Sequence, residues 1–382
     1  MSEPEAGAIL SSASGPTGVL YVTATGGYGG PVASLVTVLS RLGGVHRVVC
    51  APRAPRAEYW DRLASVSDEL VPITRPRGTG IATAQRQVLA TARRHRSSIE
   101  VIHANSLTEL VVSLPAAVAL DLPIVVWVHN WEVPAVTRLA RPLVRSRRDR
   151  IRFAGVSTFT RDLVVEAGLT TAERFEIIPN PIDPAVVGDR VPGEHDRVRI
   201  GFLGRSERRK GFDLLPACIE LLRDAPVRWE VFSTPFVDER AAWRRVLATP
   251  SELVSVSPLV ADVSQAYARC DLVFVPSRME SFCRVAAEAL LNGLPVVASD
   301  LPPLREVLAE GTAGVLFPAG DADAAAGALR ALVADPRRRD ALGRAGRERA
   351  EAFLPGAVSA SLARLYLDAT DRATSPVTQP GR

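Results

Sequence analysis

The sequence predicts two α/β domains, each built on a parallel β-sheet. Apolar runs rich in β-branched residues alternate with helix-length segments from residue 18 to about residue 370. Strands alternating with helices are typical of a parallel sheet that is covered on both faces. The chain has 382 residues, which is more than one hydrophobic core normally holds. A segment at 183–196, rich in Pro, Gly and charge, divides the alternation into two halves.

The first half begins with a β-branched strand that ends in the glycine-rich turn GGYGGP. A helix follows with Pro31 in its first turn, a position that proline favours. A glycine-rich turn lets the backbone approach a ligand closely, although an ordinary tight turn has the same composition. Strands are predicted at 18–25, 45–50, 100–103, 124–128, 151–156 and 175–178, and helices at 31–42, 81–95, 107–120 and 158–167.

The second half repeats the alternation, with strands at 198–203, 228–232, 253–256, 272–275, 294–298 and 314–317. Helices are predicted at 212–223, 239–247, 263–269 and 282–292, and alanine-rich helices at 323–366. We expect a disordered leader at 1–17, a first domain at 18–190, a second domain at 191–370 and a disordered tail at 371–382. The last helix is expected to pack back on the first domain.

Composition narrows the range of functions. The net charge is only +4, and 45 of the 46 basic residues are arginine, which does not indicate a nucleic-acid partner. The single lysine is Lys210, a compact charge kept where arginine is otherwise always used. No basic and apolar segment of secretory type opens the chain, and no apolar run has membrane-spanning length, so we expect a cytoplasmic protein. The four cysteines lie far apart, and we expect reduced thiols.

Residues 271–300, DLVFVPSRMESFCRVAAEALLNGLPVVASD, form the most informative stretch. Strand, loop, helix and strand follow one another as in a βαβ unit. Glu280 lies in the loop and Glu288 inside the helix, with backbones roughly 12 Å apart at 1.5 Å rise per residue. Between them lies a helix N-terminus, which favours an anion. Two carboxylates beside an anion site suit a sugar, a diphosphate and a ribose arranged end to end.

Other polar residues follow predicted strands at the edge where parallel sheets bind ligands. A basic loop, GRSERRKG, holds Arg205 and Lys210 after the strand at 198–203. Fixed cations in such a loop can compensate the charge of a phosphate ligand, although a basic loop is usually only exposed to solvent, and Arg208 and Arg209 also fit solvated charges. His129 follows the strand at 124–128. His103 also ends a strand and is the weaker candidate for contact with a ligand.

The stretch 271–300 resembles the donor-site signature of retaining glycosyltransferase family 4, which has Glu, seven residues and Glu, and continues as a run of the form EAL..GLPVVAS. The resemblance extends from about residue 19 to 352. It implies the GT-B fold, in which two Rossmann-like domains face each other across a cleft. The family usually has glycine where this chain has Cys283, and VHD where this chain has VHN at 128–130.

The resemblance also implies roles for individual residues. Glu280 would hold the transferred sugar, Glu288 the ribose, Arg205 and Lys210 the diphosphate, and His129 a sugar hydroxyl near the reacting carbon. These residues imply a retaining transfer of a hexosyl unit from a nucleoside diphosphate sugar to an acceptor hydroxyl, without metal or cofactor. The other donor-binding residues implied are Gly29, Gly30, Asn180, Ser281, Phe282, Cys283, Arg284 and Val285.

Several alternatives stay open on sequence alone. Glu280 also fits a helix-start carboxylate, and Glu288 a solvated helix residue. The chain also fits a non-catalytic nucleotide-sugar-binding subunit or a nucleotide-sugar epimerase. Asp321 and Asp323 resemble a metal-binding DxD motif, but their place before AAAGALRALV predicts a helix cap.

The acceptor is expected to be a small molecule, a glycan or a lipid-linked glycan. Arginines crowd residues 138–152, with Leu139 and Leu143 between them. A basic amphipathic segment of this kind fits peripheral contact with anionic lipid at the inner face of a membrane. It fits a solvated helix in an arginine-rich protein equally well.

Overall fold

The protein is described here from a computed structural model. The structure describes residues 18–23, 30–53, 57–189, 197–235, 239–258 and 262–374. The expected leader at 1–17 lies outside these residues, as does the chain after 374. The chain divides into two compact units, Met1–Pro181 with Pro355–Arg382, and Ile182–Leu354.

The first unit contains a fully parallel sheet with strand order β3-β2-β1-β4-β5-β6-β7. The strands are β1 (Gly18–Val22), β2 (His46–Pro52), β3 (Glu69–Ile73), β4 (Val101–Ala104), β5 (Ile124–Val128), β6 (Ile151–Gly155) and β7 (Phe175–Ile177). The helices between them are α1 (Gly30–Leu39), α2 (Ala57–Ala64), α3 (Gly80–Arg94), α4 (Leu107–Leu120), α5 (Ala135–Ser146) and α6 (Thr158–Glu166).

Strand β5 shows why this sheet forms. All five residues of IVVWV are buried, as in central strands of parallel sheets that are covered on both faces. Ile124, Val126 and Val128 pack into the main apolar core of the unit. The indole of Trp127 donates a hydrogen bond to the carbonyl of Ile178 at 2.9 Å, so its polar atom is satisfied inside the protein.

Strand β3 and helix α2 were missed by the sequence prediction. The sequence of β3, ELVPI, contains a proline and is mostly half-buried, because β3 is the edge strand of its sheet. Proline is tolerated on edge strands since its missing N–H faces away from the ladder. The alternating apolar pattern that identifies a buried strand is therefore absent here.

The second unit also contains a fully parallel sheet, with order β10-β9-β8-β11-β12-β13. The strands are β8 (Val198–Leu203), β9 (Val227–Phe232), β10 (Val254–Ser257), β11 (Leu272–Val275), β12 (Val296–Ser299) and β13 (Val315–Phe317). The helices are α7 (Leu215–Leu221), α8 (Arg240–Leu247), α9 (Ser264–Ala268), α10 (Arg284–Leu291), α11 (Pro302–Val307), α12 (Ala322–Ala334) and α13 (Pro336–Ala350). The two α/β units confirm the predicted fold class.

The structure places the boundary between the units after Pro181, whereas the sequence placed it at residue 190. The segment after Pro181 is held by the second unit. The backbone N–H of Ile182 donates to the carbonyl of Phe353 at 2.8 Å. The side chain of Asn292 contacts both the carbonyl of Val186 and the N–H of Gly188, each at 3.1 Å. These hydrogen bonds explain why the composition change at 183–196 does not coincide with the boundary.

The last helix, α14 (Pro355–Thr374), belongs to the first unit, where it packs against α1, β4, β5 and β6. The second unit therefore ends at Leu354, whereas the sequence had extended the second domain to residue 370. Helix α14 is also held by a hydrogen bond, in which Nε of Arg152 donates to the carboxylate of Asp368 at 2.9 Å. The helix also extends past residue 371, where the sequence predicted a disordered tail.

No helix among the described residues is both long and apolar enough to cross a membrane.

Candidate functional site

The second unit brings its basic loop together with the loop at 276–283, which contains Glu280 and is called the acidic loop below. The two loops meet at the point where the strand order of the sheet reverses. The basic loop follows β8 and the acidic loop follows β11, and these two strands are neighbours although they are separated in sequence. Ligands of open parallel sheets bind at such a switch point, outside the carboxyl ends of the strands. The residues predicted from the two sequence motifs therefore meet at one edge.

Lys210 and Glu280 form the central contact of this site. The ammonium group of Lys210 donates to Oε1 of Glu280 at 2.6 Å. The hydroxyl of Ser277 donates to the same oxygen at 2.8 Å. Glu280 is 7% exposed and lies four residues before the start of α10 at Arg284, so the interpretation of it as a helix-start carboxylate is wrong. One oxygen of this carboxylate is thus fixed by an ammonium group and a hydroxyl.

The two loops are also fastened together beside this contact. Gly211 has φ 71°, and a Cβ atom there would lie 1.8 Å from the carbonyl oxygen of Pro276. Only glycine allows so close an approach in this conformation. The guanidinium of Arg278 pairs with Asp213 at 2.7 Å, and the N–H of Arg278 donates to the carbonyl of Arg209 at 2.8 Å.

Two arginines of the basic loop, Arg205 and Arg209, pair with Glu207. Nε of Arg205 lies 2.8 Å from Oε1 of Glu207, and Arg209 lies 3.3 Å from Oε2. The Arg205 side chain is 54% exposed, whereas that of Lys210 is 24% exposed. Lys210 is therefore in direct contact with Glu280, while Arg205 is oriented by Glu207.

Cys283 occupies a backbone conformation that favours glycine. Its φ and ψ are both 78°, in the left-handed region, and it directly precedes α10. Helix α10 therefore begins at Arg284, two residues later than predicted. The Cys283 thiol is buried, and burial raises its pKa. Cys283 therefore replaces the glycine usual in the family at the residue of this loop where a Cβ atom strains the backbone.

Phe282, the residue before Cys283, is also buried. Its ring lies edge-on to that of Phe353 at a centroid distance of 5.3 Å. Its side chain anchors the loop in the second unit. Ser281 and Val285 are half-buried.

Glu288 lies in the middle of α10 and is 8% exposed, so the interpretation as a solvated helix residue is wrong here too. The hydroxyl of Tyr267 donates to Oε2 of Glu288 at 2.8 Å. A guanidinium nitrogen of Arg284 lies 3.2 Å from Oε1, one helical turn earlier. Each of the two predicted carboxylates is therefore held by one hydroxyl and one cation.

In the first unit, His129 follows β5, as predicted, and is 7% exposed. Its ring lies 4.5 Å from that of Trp127, centroid to centroid. The next residue, Asn130, accepts a hydrogen bond from the N–H of Leu107 at 3.2 Å. Asn130 thus satisfies a free N–H in the first turn of α4, which gives the asparagine of VHN a structural role.

Gly30 begins α1, and Asn180 follows β7. The hydroxyl of Ser34 on α1 donates to Oδ1 of Asn180 at 2.8 Å, and both residues are buried. This contact joins the first helix to the end of the last strand of the unit. Gly29 lies outside the described residues.

Two weaker candidates have structural roles. His103 is fully buried, and its Nδ1 lies 2.9 Å from the hydroxyl of Tyr366 on α14. Burial lowers the pKa of His103 to about 4. Asp321 accepts a hydrogen bond from the N–H of Ala324 at 2.9 Å, which confirms the predicted cap of α12.

The sequence prediction missed Ser277 and Tyr267. Ser277 comes two residues after β11, so the rule that identified His129 and Asn180 at strand ends also applies to it. Tyr267 carries no such signal, because its contact with Glu288 joins two helices that are separated by a strand.

The arginine-rich segment divides into two parts. Arg147 and Arg150 pair with Asp121, and Arg152 is buried against Asp368. Arg148 lies 3.8 Å from Asp149. Within the described part of the chain, three exposed arginines of α5 have no acidic partner: Arg138, Arg141 and Arg145.

Comparison with known proteins was made for both units. Residues 25–186 match the model described as Glycosyltransferase Family 4, and residues 197–335 match that of Glycosyl transferases group 1. The phosphatidyl-myo-inositol mannosyltransferase of Mycolicibacterium smegmatis is 31% identical over 89% of this chain and 90% of its own length. The D-inositol 3-phosphate glycosyltransferase of Kineococcus radiotolerans is 31% identical over 65% of this chain.

The sulfoquinovosyl transferase of Arabidopsis thaliana is 27% identical over 66% of this chain. The match spans 54% of the Arabidopsis protein and 63% of the Kineococcus protein. Among solved structures, HepE of Anabaena in complex with UDP aligns with a TM-score of 0.76 at 20% identity, over 91% of this chain and 98% of that chain. Sucrose-phosphate synthase of Thermosynechococcus elongatus aligns with a TM-score of 0.69 at 18% identity, over 91% and 98%. The two family models and the full-length mannosyltransferase match show that this chain belongs to glycosyltransferase family 4, with the two-domain GT-B fold.

Proposed function

We propose that this protein is a retaining glycosyltransferase that moves a hexosyl unit from a nucleoside diphosphate sugar to an acceptor hydroxyl. The observation that carries the proposal is the contact of Lys210 and Ser277 with Glu280 at the switch point of the second sheet. A cation and a buried carboxylate at one edge suit a ligand with a phosphate beside sugar hydroxyls. A buried carboxylate binds hydroxyl groups well because charged acceptors form the stronger hydrogen bonds.

In this proposal Glu280 binds the sugar through the oxygen that Lys210 and Ser277 leave available. Lys210 and Arg205 stabilise the diphosphate as the glycosidic bond breaks and negative charge grows on the leaving oxygen. The backbone of residues 281–285 and the N-terminus of α10 bind the phosphates. Glu288 binds the ribose, and Gly29, Gly30, Asn180 and His129 act from the first unit.

The leaving phosphate accepts the proton of the acceptor hydroxyl on the same face of the sugar, so no protein base is required. We propose that no divalent metal takes part, because the lysine, the arginine and the helix N-terminus supply the compensating positive charge. The two names among the relatives that include inositol suggest a phosphorylated or lipid-linked cyclitol as one acceptor to be tested.

We also propose that α5 contacts anionic lipid. Leu139 is 82% exposed and Leu143 is 43% exposed, and Arg138, Arg141 and Arg145 lie on the same helix. The other arginines of residues 138–152 pair with acids of the first unit, so the contact is assigned to α5 alone.

A donor screen tests the enzymatic proposal. UDP-, GDP-, ADP- and TDP-sugars are compared by calorimetric binding and by slow hydrolysis, each with and without EDTA. One or two of them should bind and release the nucleotide in EDTA as well as without it. Binding of no nucleotide sugar would refute the proposal. Binding without hydrolysis or transfer to any acceptor would favour a non-catalytic binding subunit, and loss of activity in EDTA would refute metal independence.

A further inference from the structure

Tyr267 is a buried polar residue in the second unit that the proposed mechanism has not used. It lies on α9 and is 1% exposed. Its hydroxyl lies 2.8 Å from Oε2 of Glu288 and 3.4 Å from the carbonyl of Val285. A hydroxyl has one proton to donate, and the shorter, charge-assisted contact is the stronger bond. Burial, followed by the charge of Glu288, raises the pKa of Tyr267 well above its usual value, so the phenol keeps its proton.

The two oxygens of Glu288 have different partners. Oε1 faces Arg284, whose side chain is 22% exposed and lies one turn away on the same helix. Such a pair, close to solvent, is weak and easily rearranged. Oε2 faces the hydroxyl of Tyr267, whose ring is fixed inside the unit. The buried side of the carboxylate is therefore rigid, and the side toward Arg284 is the one that a ligand approaches.

We propose that Tyr267 is a positioning residue, which fixes the Glu288 carboxylate in the orientation that binds the vicinal hydroxyls of the donor ribose. This inference rests on the proposed function. A carboxylate accepts hydrogen bonds from both hydroxyls of a ribose only when its plane is held toward them. With Oε2 fixed by Tyr267, rotation of the Glu288 side chain away from the ribose would break a buried, charge-assisted bond.

A purely structural role for Tyr267 would have different consequences for ligand binding. If Tyr267 only filled the core, its loss would lower the stability of the second unit and weaken all ligands of that unit equally. If it orients Glu288, its loss weakens only ligands that have ribose hydroxyls. The dependence on those hydroxyls therefore distinguishes the two roles.

The experiment uses calorimetric binding of UDP and 2′,3′-dideoxy-UDP, with GDP and 2′,3′-dideoxy-GDP as a second pair. Wild-type protein should bind the ribonucleotide of one pair at least tenfold more tightly than its dideoxy analogue. Tyr267→Phe should bind that ribonucleotide about tenfold more weakly and the dideoxy analogue unchanged. Glu288→Gln should also lose the preference for ribose. Adding Tyr267→Phe to Glu288→Gln should cause little further loss, because both act on one contact.

Tyr366→Phe is the matched control, since it removes a buried tyrosine hydroxyl in the first unit. It should leave the ribose preference unchanged. Equal weakening of both nucleotides by Tyr267→Phe, or no weakening of either, would overturn the positioning role while leaving the proposed function intact. If Tyr267→Phe does not fold, Glu288→Gln decides the question. A retained preference for ribose in Glu288→Gln would then overturn the positioning role of Tyr267, because Glu288 would not be the group that binds the ribose. Failure of the wild type to bind any of the four nucleotides would overturn the ribose contact and this inference with it, whereas the proposed function is overturned only by the full donor screen.

Discussion

At the residue scale, the site is built from carboxylates whose orientation is set by neighbours. Lys210 and Ser277 hold one oxygen of Glu280, at 2.6 and 2.8 Å. A buried carboxylate without such partners is destabilised because its charge is removed from water. Lys210 therefore has two tasks in the proposed reaction, since it compensates the diphosphate and also holds the Glu280 carboxylate in place.

Replacement of Lys210 tests both tasks. Lys210→Met should lower kcat/KM with the donor by at least a hundredfold, since one lost transition-state contact typically costs on the order of 3 kcal/mol. Lys210→Arg should also lose activity, because a planar guanidinium does not reproduce the position of the ammonium group. Arg208→Ala is the control, as it removes an exposed cation of the same loop. Wild-type kinetics for Lys210→Arg would show that the only lysine of the chain has no special role.

Cys283 supports a second prediction at this scale. Its left-handed conformation costs about 1–2 kcal/mol for a side chain with a Cβ atom. Cys283→Gly removes this cost but gives up the buried thiol and adds unfolded-state entropy of roughly 0.5–1 kcal/mol, so stability should change by about 1 kcal/mol or less. Cys283→Val should destabilise more, since β-branched residues strongly disfavour this region.

Urea unfolding measures these changes in free energy. The glycine variant should also keep full donor turnover, because it restores the residue usual in the family. Better tolerance of valine than of glycine would contradict the strained conformation.

At the element scale, helix α5 carries two stripes on its exposed surface. Arg138, Arg141 and Arg145 are spaced by three and four residues, so they lie along one line of the helix. Leu139 and Leu143, four residues apart, lie along another. Cations beside exposed leucines fit a helix that lies in the headgroup region of a membrane.

Vesicle flotation tests this surface. Wild-type protein should bind phosphatidylglycerol vesicles but not phosphatidylcholine vesicles, and added salt should weaken the binding. The triple change of Arg138, Arg141 and Arg145 to alanine should reduce binding by roughly a hundredfold, at about 1 kcal/mol per arginine. The matched control changes Arg337, Arg338 and Arg344 on α13, which are also exposed, and should have little effect. Equal losses in the two triple variants would mean that net charge alone governs binding.

Helix α14 gives the second prediction at the element scale. Oδ1 of Asn105 lies 3.5 Å from Nε2 of His103, while Nδ2 of Asn105 donates to the carbonyl of Pro31. These contacts favour the neutral tautomer with the proton on Nε2, in which Nδ1 can accept from the hydroxyl of Tyr366. Protonation of Nδ1 would reverse the direction of this bond and place a positive charge in the buried contact between β4 and α14.

The pKa of His103 is lowered by burial to about 4, below the ordinary value of about 6.5. The unfolded chain then binds more protons between these values, so stability is complete above pH 6.5 and decreases as pH falls toward 4. The loss approaches about 3 kcal/mol at 1.36 kcal/mol per unit. Between pH 7 and pH 4.5, the melting temperature of the wild type should decrease more steeply than that of His103→Gln. Parallel curves would exclude His103 as the source.

At the scale of the whole molecule, the sequence predicts most of what depends on local pattern. Buried apolar runs such as β5 and β8 were found, as were the polar residues that follow β5, β7 and β8. What the sequence missed depends on contacts between distant segments. The edge strand β3 lacks apolar alternation, and Tyr267 reaches Glu288 only through tertiary packing. The return of α14 to the first unit was predicted, but its first residue, Pro355, was not.

The stereochemistry of the proposed reaction gives the last prediction. Glu280 is held through one oxygen by Lys210 and Ser277. In the proposal Glu280 binds sugar hydroxyls and Glu288 binds the ribose, so neither carboxylate is assigned as a nucleophile for double displacement. Reaction on one face leaves the anomeric configuration unchanged. An α-configured donor should therefore give an α-linked product, which NMR of the anomeric proton identifies. An inverted product would contradict the proposed mechanism.

His129 is tested in the same assay. Its imidazole, at the end of β5, is assigned to a sugar hydroxyl next to the carbon that becomes cationic. That contact strengthens as positive charge develops, so it acts mainly in the transition state. His129→Ala should reduce kcat by about a hundredfold or more while the donor Kd changes little, as expected for loss of a single electrostatic contact. Ser34→Ala, which removes a buried hydroxyl from the neighbouring contact with Asn180, is the structural comparison and should change kcat far less. Unchanged turnover of His129→Ala would return this histidine to a packing role beside Trp127.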